Sequence, residues 1–286
     1  MIVNAKSRFG EAFCDTAIAA LEKAGIAVDH RDCGRAEDLG RLIREARGDV
    51  DSVIVGGGDG TLNAALPGIL ETGLPMGILP LGTANDLART LGVPTDFEAA
   101  VATIAAGNRR RIDVGEVNGK PFFNVASIGF GVDLTRALTR DAKKRWGVLG
   151  YLVAGLRVIY RVRPFHVTVT VGDRVHRSKT LHLAVGNGRH YGGGMTVSQD
   201  ASIADGRLDV YSLEASGVIA ALKLLPSLRS GTQGHWAEVA TLAGQEVTVE
   251  TSHPRGVDAD GEIVTETPAH FRVRPRAVTV FAPART

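Results

Sequence analysis

The 286-residue sequence is short of cysteine, aromatic residues and long apolar runs, and each shortage removes a class of protein. Its two cysteines, Cys14 and Cys33, form neither a CxxC pair nor a set with spaced histidines. A disulfide framework and a structural zinc site are thereby excluded, and a reducing cytoplasmic setting is expected. No stretch approaches the ~20 uncharged apolar residues that span a bilayer. Met1-Ile2-Val3-Asn4 also lacks the basic start and apolar run of a secretory signal. Aromatics make up only 5%, yet hydrophobic residues reach 44%, too many for a disordered chain. The length suits one large domain or two ordinary ones.

What is present is unevenly distributed. The formal net charge of +2 conceals an acidic first part, with 9 Lys/Arg against 15 Asp/Glu in residues 1–107. Residues 108–286 hold 24 basic and 16 acidic residues. Such asymmetry argues for two domains with different partners, 1–107 and 108–286.

The hydrophobic rhythm changes at the same place. Before residue 107, short apolar runs (2–3, 26–28, 52–55, 76–80) alternate with helical patterns at 11–24, 36–47, about 61–71 and 96–106. This β-α-β-α-β order predicts a doubly wound parallel-sheet α/β domain. After it, runs at 165–171, 179–185, 207–213, 246–251 and 277–281 alternate in two-residue steps and are rich in Val and Thr, which predicts an antiparallel β-sandwich. Helical stretches are expected at about 143–160 and 216–230.

The strongest local signal is Gly56-Gly57-Gly58-Asp59-Gly60-Thr61-Leu62-Asn63, directly after the strand Val53-Ile54-Val55. Glycines let the backbone approach a phosphate and aim several N–H groups at it, with a helix N-terminus behind. One or two glycines would suffice for a plain βα turn. The loop is neither a Walker A sequence nor a GxGxxG fingerprint. A second loop, Pro80-Leu81-Gly82-Thr83-Ala84-Asn85-Asp86-Leu87-Ala88-Arg89, follows the next strand in the same way. Both would lie at the carboxyl edge of the sheet, where α/β folds bind ligands.

Together these loops resemble the catalytic domain of diacylglycerol kinases and their bacterial lipid-kinase relatives, including sphingosine-kinase-like enzymes. The likeness extends through Ile112-Asp113-Val114-Gly115, Phe123-Asn124-Val125-Ala126-Ser127-Ile128-Gly129, Gly186-Asn187-Gly188-Arg189-His190-Tyr191-Gly192-Gly193-Gly194, Ala204-Asp205-Gly206-Arg207-Leu208-Asp209 and Asp258-Ala259-Asp260-Gly261-Glu262, in order. NAD kinases and phosphofructokinases share the GGDG loop but not the GTAND run or the late DGE.

The resemblance implies an ATP-dependent lipid kinase, with diacylglycerol as the leading acceptor, and assigns roles residue by residue. ATP would lie against Gly56 to Asn63 and Thr83. The early phosphate-holding motif is altered to Asn4-Ala5-Lys6-Ser7-Arg8, leaving Asn4 and Ser7 as contacts, and Arg31 stands in for an absent threonine. Asp205, with Asp86 and Asp113 and the backbone oxygens of Ser202 and Arg207, would surround Mg2+, which favours carboxylate and water oxygens. Read alone, Asp205-Gly206 is a hairpin turn. Asp59 is a catalytic residue and a second candidate for the nucleotide's metal. Glu262 would accept the lipid hydroxyl's proton, although Asp260-Gly261-Glu262 by itself also reads as a turn with a solvated carboxylate.

Residues 136–163 hold eight basic residues against Asp141 alone, around the apolar stretch Trp146 to Leu156. That pattern fits an interfacial helix on anionic lipid and equally a core helix whose cations face water. No helix-turn-helix or stacking motif accompanies the charge, so nucleic acid is not expected. The expected setting is cytoplasmic and peripheral to the inner membrane face, and a sandwich edge could pair two chains into a homodimer. Two readings remain beside the lipid kinase: an NAD-kinase-like enzyme acting on a soluble hydroxyl, and a silent nucleotide- or lipid-binding sensor, which the altered Asn4–Arg8 motif keeps open.

Overall fold

The computed structural model describes residues 1–3, 10–32, 35–129, 163–191, 195–196, 201–214 and 239–284. Asn4, Ser7, Cys33, the basic stretch up to residue 162 and the expected helix at 216–230 lie outside the described residues. The first half runs β1 (Ile2–Val3), α1 (Gly10–Lys23), β2 (Arg31–Asp32), a 3-10 turn and α2 (Leu39–Glu45), then β3 (Val53–Gly57), α3 (Asp59–Thr72), β4 (Met76–Pro80), α4 (Asp86–Leu91) and α5 (Phe97–Ala105). β2, β1, β3 and β4 pair in parallel in that order. α1 packs with α5, and α2 with α3.

Local chemistry explains the boundaries. α3 ends at Gly73, whose φ of 71° lets its N–H reach the Ile69 carbonyl. α5 begins where the Asp96 side chain accepts the Ala99 N–H at 3.0 Å. The second strand is displaced from the expected 26–28 to Arg31–Asp32. Ile26 is captured instead by the end of α1, its N–H bonded to the Leu21 carbonyl at 3.0 Å, so its apolar side chain packs on the core without entering the ladder.

The second half comprises β5 (Arg109–Val117), β6 (Lys120–Phe122), β7 (Val125–Gly129), β8 (Phe165–Val171), β9 (Arg174–Thr180), β10 (His182–Gly186), β11 (His190–Tyr191), β12 (Met195–Thr196), β13 (Leu208–Leu213), β14 (Val239–Gly244), β15 (Glu246–Thr251), β16 (Gly256–Ala259), β17 (Glu262–Glu266) and β18 (Ala269–Phe281). β18 joins the parallel strands through Val280 and Met76, and β15, β8 and β9 continue the same sheet antiparallel. A second sheet, β14-β13-β10-β7-β16-β17, faces this extension across a Val-rich core. The run 179–185, read as one strand, is a corner between the sheets. Thr180 Oγ1 donates to the carbonyls of His182 and Leu213 at 2.8 and 2.9 Å and turns the chain there. Two-residue alternation continues through the corner, so periodicity cannot show it.

β5 and β18 lie side by side through both halves, and their Ile112, Val114, Val278, Val280 and Phe281 belong to the core beneath the parallel strands. β18 bends at a bulge between Arg274 and Val278, where Arg276 has φ 51°. At this bend the Arg276 N–H donates to Asp113 of β5.

Candidate active site

The two glycine loops touch backbone to backbone. A Cβ on Gly82 would lie 2.5 Å from the Gly58 Cα, and one on Gly58 would lie 3.0 Å from the Gly82 Cα. Only glycine permits that approach. The Leu81 N–H donates to the Gly57 carbonyl at 3.0 Å. Asn85, buried and at φ 51°, accepts the Gly82 N–H and donates to the Gly82 carbonyl, both at 2.9 Å. Asp59 Oδ1 accepts the Leu87 N–H at 3.0 Å, binding the first loop to the start of α4.

α3 starts at Asp59 with Gly58 as its N-cap, so Gly56 and Gly57 complete β3. The amides of Asp59 and Gly60 have no intrahelical acceptor by position, and the half-buried Asp59 and exposed Gly60 border solvent. Thr61 is buried against Gly57, where a Cβ would lie 2.5 Å from its Oγ1. Leu62 is a core residue at 1% exposure, so only its backbone could face a ligand. Asn63 is half-buried, with Oδ1 lacking a hydrogen-bond partner, and Thr83 is exposed on the second loop. Arg31 does not join this group. Asp29 holds its guanidinium at 2.9 Å, with Asp49 at 3.7 Å.

Opposite these loops the side chains are acceptors. Asp113 on β5 is 1% exposed, its Oδ1 taking the Arg276 N–H and its Oδ2 the Gly206 N–H, each at 2.7 Å. It therefore secures the loop that carries Ser202, Asp205 and Arg207 to the bend of β18. Burial raises the Asp205 carboxyl above its ordinary range, and the Asp113 charge adds to this, while hydrogen bonding and charge from Arg207 oppose it. The Arg207 guanidinium lies 3.2 Å from Asp205 and 3.4 Å from Asp209. Asp86 is buried in the first turn of α4. Among the described residues, no three His, Cys, Asp or Glu side chains stand together as metal ligands. Each Asp113 oxygen accepts one backbone amide, which leaves a second lone pair on each.

Two further residues organise this side. Asp260, at φ 49°, turns its carboxylate inward onto three successive amides, those of Phe123 (2.7 Å), Asn124 (3.0 Å) and Val125 (3.1 Å). Burial pushes its pKa up to about 6 against the pull of those amides, and the negative charge of Asp59 contributes to the rise. Asp59 and Asp260, one on each half, therefore lie within electrostatic reach and repel as like charges. Asn187, 2% exposed, donates from Nδ2 to the carbonyls of Asp113 (3.1 Å) and Phe123 (2.7 Å), joining the loop of Asp205 to the nest of Asp260. Both residues stand inside motifs visible in the sequence, but neither has a spacing that reveals such backbone contacts. Glu262 opens β17 and is exposed, two residues from Asp260, with no hydrogen bond or ion pair among the described residues.

Comparison with known proteins shows the family and the fold. Residues 1–117 match the diacylglycerol kinase catalytic domain, and residues 126–282 match the YegS C-terminal NAD kinase beta sandwich-like domain. A protein of Pseudomonas syringae pv. syringae named "Probable lipid kinase YegS-like" is 35% identical, over 99% of this chain and 93% of its own. One of Escherichia fergusonii named "Probable lipid kinase YegS" is 30% identical over 99% and 95%. A crystal structure of a candidate diacylglycerol kinase from Bacillus anthracis superposes with a TM-score of 0.84 at 26% identity, covering 99% of this chain and 94% of that one.

Proposed function

The chain belongs to the YegS-like lipid kinases, and from that premise we propose that it transfers the γ-phosphate of ATP to a lipid hydroxyl, with diacylglycerol the first acceptor to test. One observation carries the reading: the two glycine loops meet backbone to backbone at Gly58 and Gly82 behind the free amides that open α3, and the buried Asp260 carboxyl lies within electrostatic reach of Asp59 on that loop. Donors suit the phosphates, and acceptors suit what must be neutralised or deprotonated.

In this reading the amides at the start of α3 and around Gly82 and Thr83 hold the nucleotide. The lipid oxygen attacks the γ-phosphorus, the bond to the β-phosphate oxygen breaks, and ADP leaves. The hydroxyl proton passes to the exposed carboxylate of Glu262, while Asp260 fixes the loop that presents it. The carboxylates fit a divalent cation: Asp205, with Asp86 and Asp113, would hold Mg2+, Asp59 is a second candidate for the nucleotide's metal, and the ion would supply charge neutralisation at the phosphate oxygens. No helix among the described residues is long and apolar enough to cross a membrane. We assign contact with an anionic membrane surface to residues 136–163.

The test is a radiolabelled-ATP assay on a panel of diacylglycerol, phosphatidylglycerol, a sphingoid base and ceramide in mixed micelles, with soluble NAD alongside. Lipid-dependent turnover supports the proposal. Turnover on NAD alone, or tight ATP binding without turnover on any lipid, overturns it. Glu262→Gln should lower kcat by about 100- to 10,000-fold with ATP affinity kept, and a native rate in that variant removes Glu262 from the mechanism.

A further inference from the structure

The ladder between β7 and β10 ends in two facing asparagines. Val125 lies opposite Gly186 and Ala126 opposite Val185, so the next rung is Asn124 opposite Asn187. The Asn187 N–H donates to the Asn124 carbonyl at 2.8 Å and carries the ladder on by that rung. Directly opposed residues share a face, with Cβ atoms about 4.5–5.5 Å apart. Here it is the face of Ala126 and Val185, turned into the core between the sheets, and the two asparagines are 4% and 2% exposed.

Both carboxamide oxygens are buried there and accept no hydrogen bond among the described residues. For Asn187 the chemistry fixes which end is the oxygen, because Nδ2 gives its hydrogens to the carbonyls of Asp113 and Phe123. A bare buried acceptor is costly and rare, so two on one rung call for a partner. The neighbouring amides are already engaged. Those of Phe123, Asn124 and Val125 are held by Asp260 at 2.7, 3.0 and 3.1 Å. Those of Asn187 and Gly188 go to the Asn124 carbonyl at 2.8 and 2.9 Å. Gly188 keeps room beside the Asn124 oxygen, since a Cβ there would lie 3.1 Å from it.

A rung of acceptors fits a group that is positive and accepts nothing. A water would give its hydrogens to the two oxygens and find none of these amides free for its lone pairs. Uncharged carbonyl-type oxygens suit an alkali cation, whereas Mg2+ keeps to carboxylates and water. Negative charge stands one layer out, where Asp260 holds the Asn124 N–H and Asn187 grips the carbonyl of Asp113.

We propose that the side-chain oxygens of Asn124 and Asn187 form a binding site for a monovalent metal cation, sodium or potassium, at the end of the sandwich core. The site is separate from the acids assigned to Mg2+, and it does not rest on the lipid-kinase reading. Its ion clamps β7 to β10 under the amides that hold Asp260, and so stiffens the turn that leads to Glu262.

The experiment melts the full chain in the chlorides of sodium, potassium and choline at equal ionic strength, with EDTA present. At ten times its dissociation constant a bound cation shifts the folding equilibrium about elevenfold, a rise of about 3 °C over choline. Sodium against potassium identifies the ion. No hydrogen bond among the described residues uses the Asn124 side chain, so Asn124→Ala should melt near the wild type in choline and lose the advantage of the metal chlorides. Gly188→Ala keeps both oxygens but crowds the site, and should raise the half-saturating cation concentration. Equal melting in all three chlorides overturns the site and leaves the rung to water. An advantage that Asn124→Ala retains in full also overturns it, because the cation then binds elsewhere. Should Asn124→Ala not fold, wild-type cation dependence in Gly188→Ala overturns the site in its place.

Discussion

The two sides of the seam are assembled by opposite means. On the parallel-sheet side, closeness comes from missing side chains, with Gly58 against Gly82 and with Asp59, Asn85 and the Leu81–Gly57 backbone bond securing the loops. On the antiparallel side every joint is a polar side chain on a backbone group: Asp113 on two amides, Asp260 on three, Asn187 on two carbonyls. The first construction leaves amide donors over and the second leaves negative charge over. Under the proposed function, residues 1–107, with 15 acidic against 9 basic residues, would carry the nucleotide loops through backbone dipoles and not net charge.

Breaking the first side sterically should have the largest effect. In Gly82→Ala the new methyl would lie 2.5 Å from the Gly58 Cα and 2.7 Å from Asn85 Oδ1, both in rigid neighbours. We expect about a 100-fold loss of ATP affinity from the displaced loop and about 3 kcal/mol of stability from overpacking. Calorimetric titration and urea denaturation measure these. Native ATP affinity in this variant would show that the contact of the two loops is not what shapes the nucleotide site.

How much of this could be read in the sequence follows the same division. The glycine side announces itself, because phosphate loops need a particular residue at consecutive positions after a strand, and 76–80 was placed as a strand to the residue. The acid side is held by contacts between residues up to 163 positions apart, such as Asp113 with the Arg276 amide, and no local pattern encodes those. Hence nothing in the sequence shows that Asp113 accepts the amides of Gly206 and Arg276. Asp260 reads as a turn until its carboxylate is seen on Phe123, Asn124 and Val125. Likewise nothing in the sequence shows that Arg31 pairs with Asp29 and Asp49.

The second side can be tested by protons. Asp260 has its carboxyl raised from 3.8 to about 6, so between those values the folded state keeps a proton that the unfolded state has lost. Its contribution is present below about pH 4 and is lost as pH rises through 6. His182, at the far end of the same sheet, is buried against Tyr211 and lowered from 6.5 to about 4 by burial. It acts with the opposite sign, because its contribution is present above about pH 6.5 and lost as pH falls towards 4. Each is worth on the order of 2–3 kcal/mol, so in the wild type they nearly cancel between about pH 4 and 6. Urea denaturation across that window should give a stability that rises with pH in Asp260→Asn and falls with pH in His182→Phe. Parallel profiles in all three proteins would remove both groups from the balance.

The smallest predicted effect isolates the bend that lets the two sides meet. Arg276 adopts φ 51°, a conformation that disfavours a residue with a Cβ by about 1–2 kcal/mol. Its structural bonds are made by backbone atoms alone, the N–H to Asp113 at 2.7 Å and the carbonyl accepting Arg111 Nε at 3.0 Å. Glycine keeps both bonds and removes the strain, while the greater freedom of the unfolded chain returns part of the gain. Arg276→Gly should therefore be more stable by about 0.5 kcal/mol, a rise of about 1–2 °C in melting temperature, and Arg276→Asn should fall between the two. A loss of stability in the glycine variant would mean that the exposed arginine side chain, rather than the amide on Asp113, holds the bend, and the antiparallel side would then not be joined through backbone groups alone.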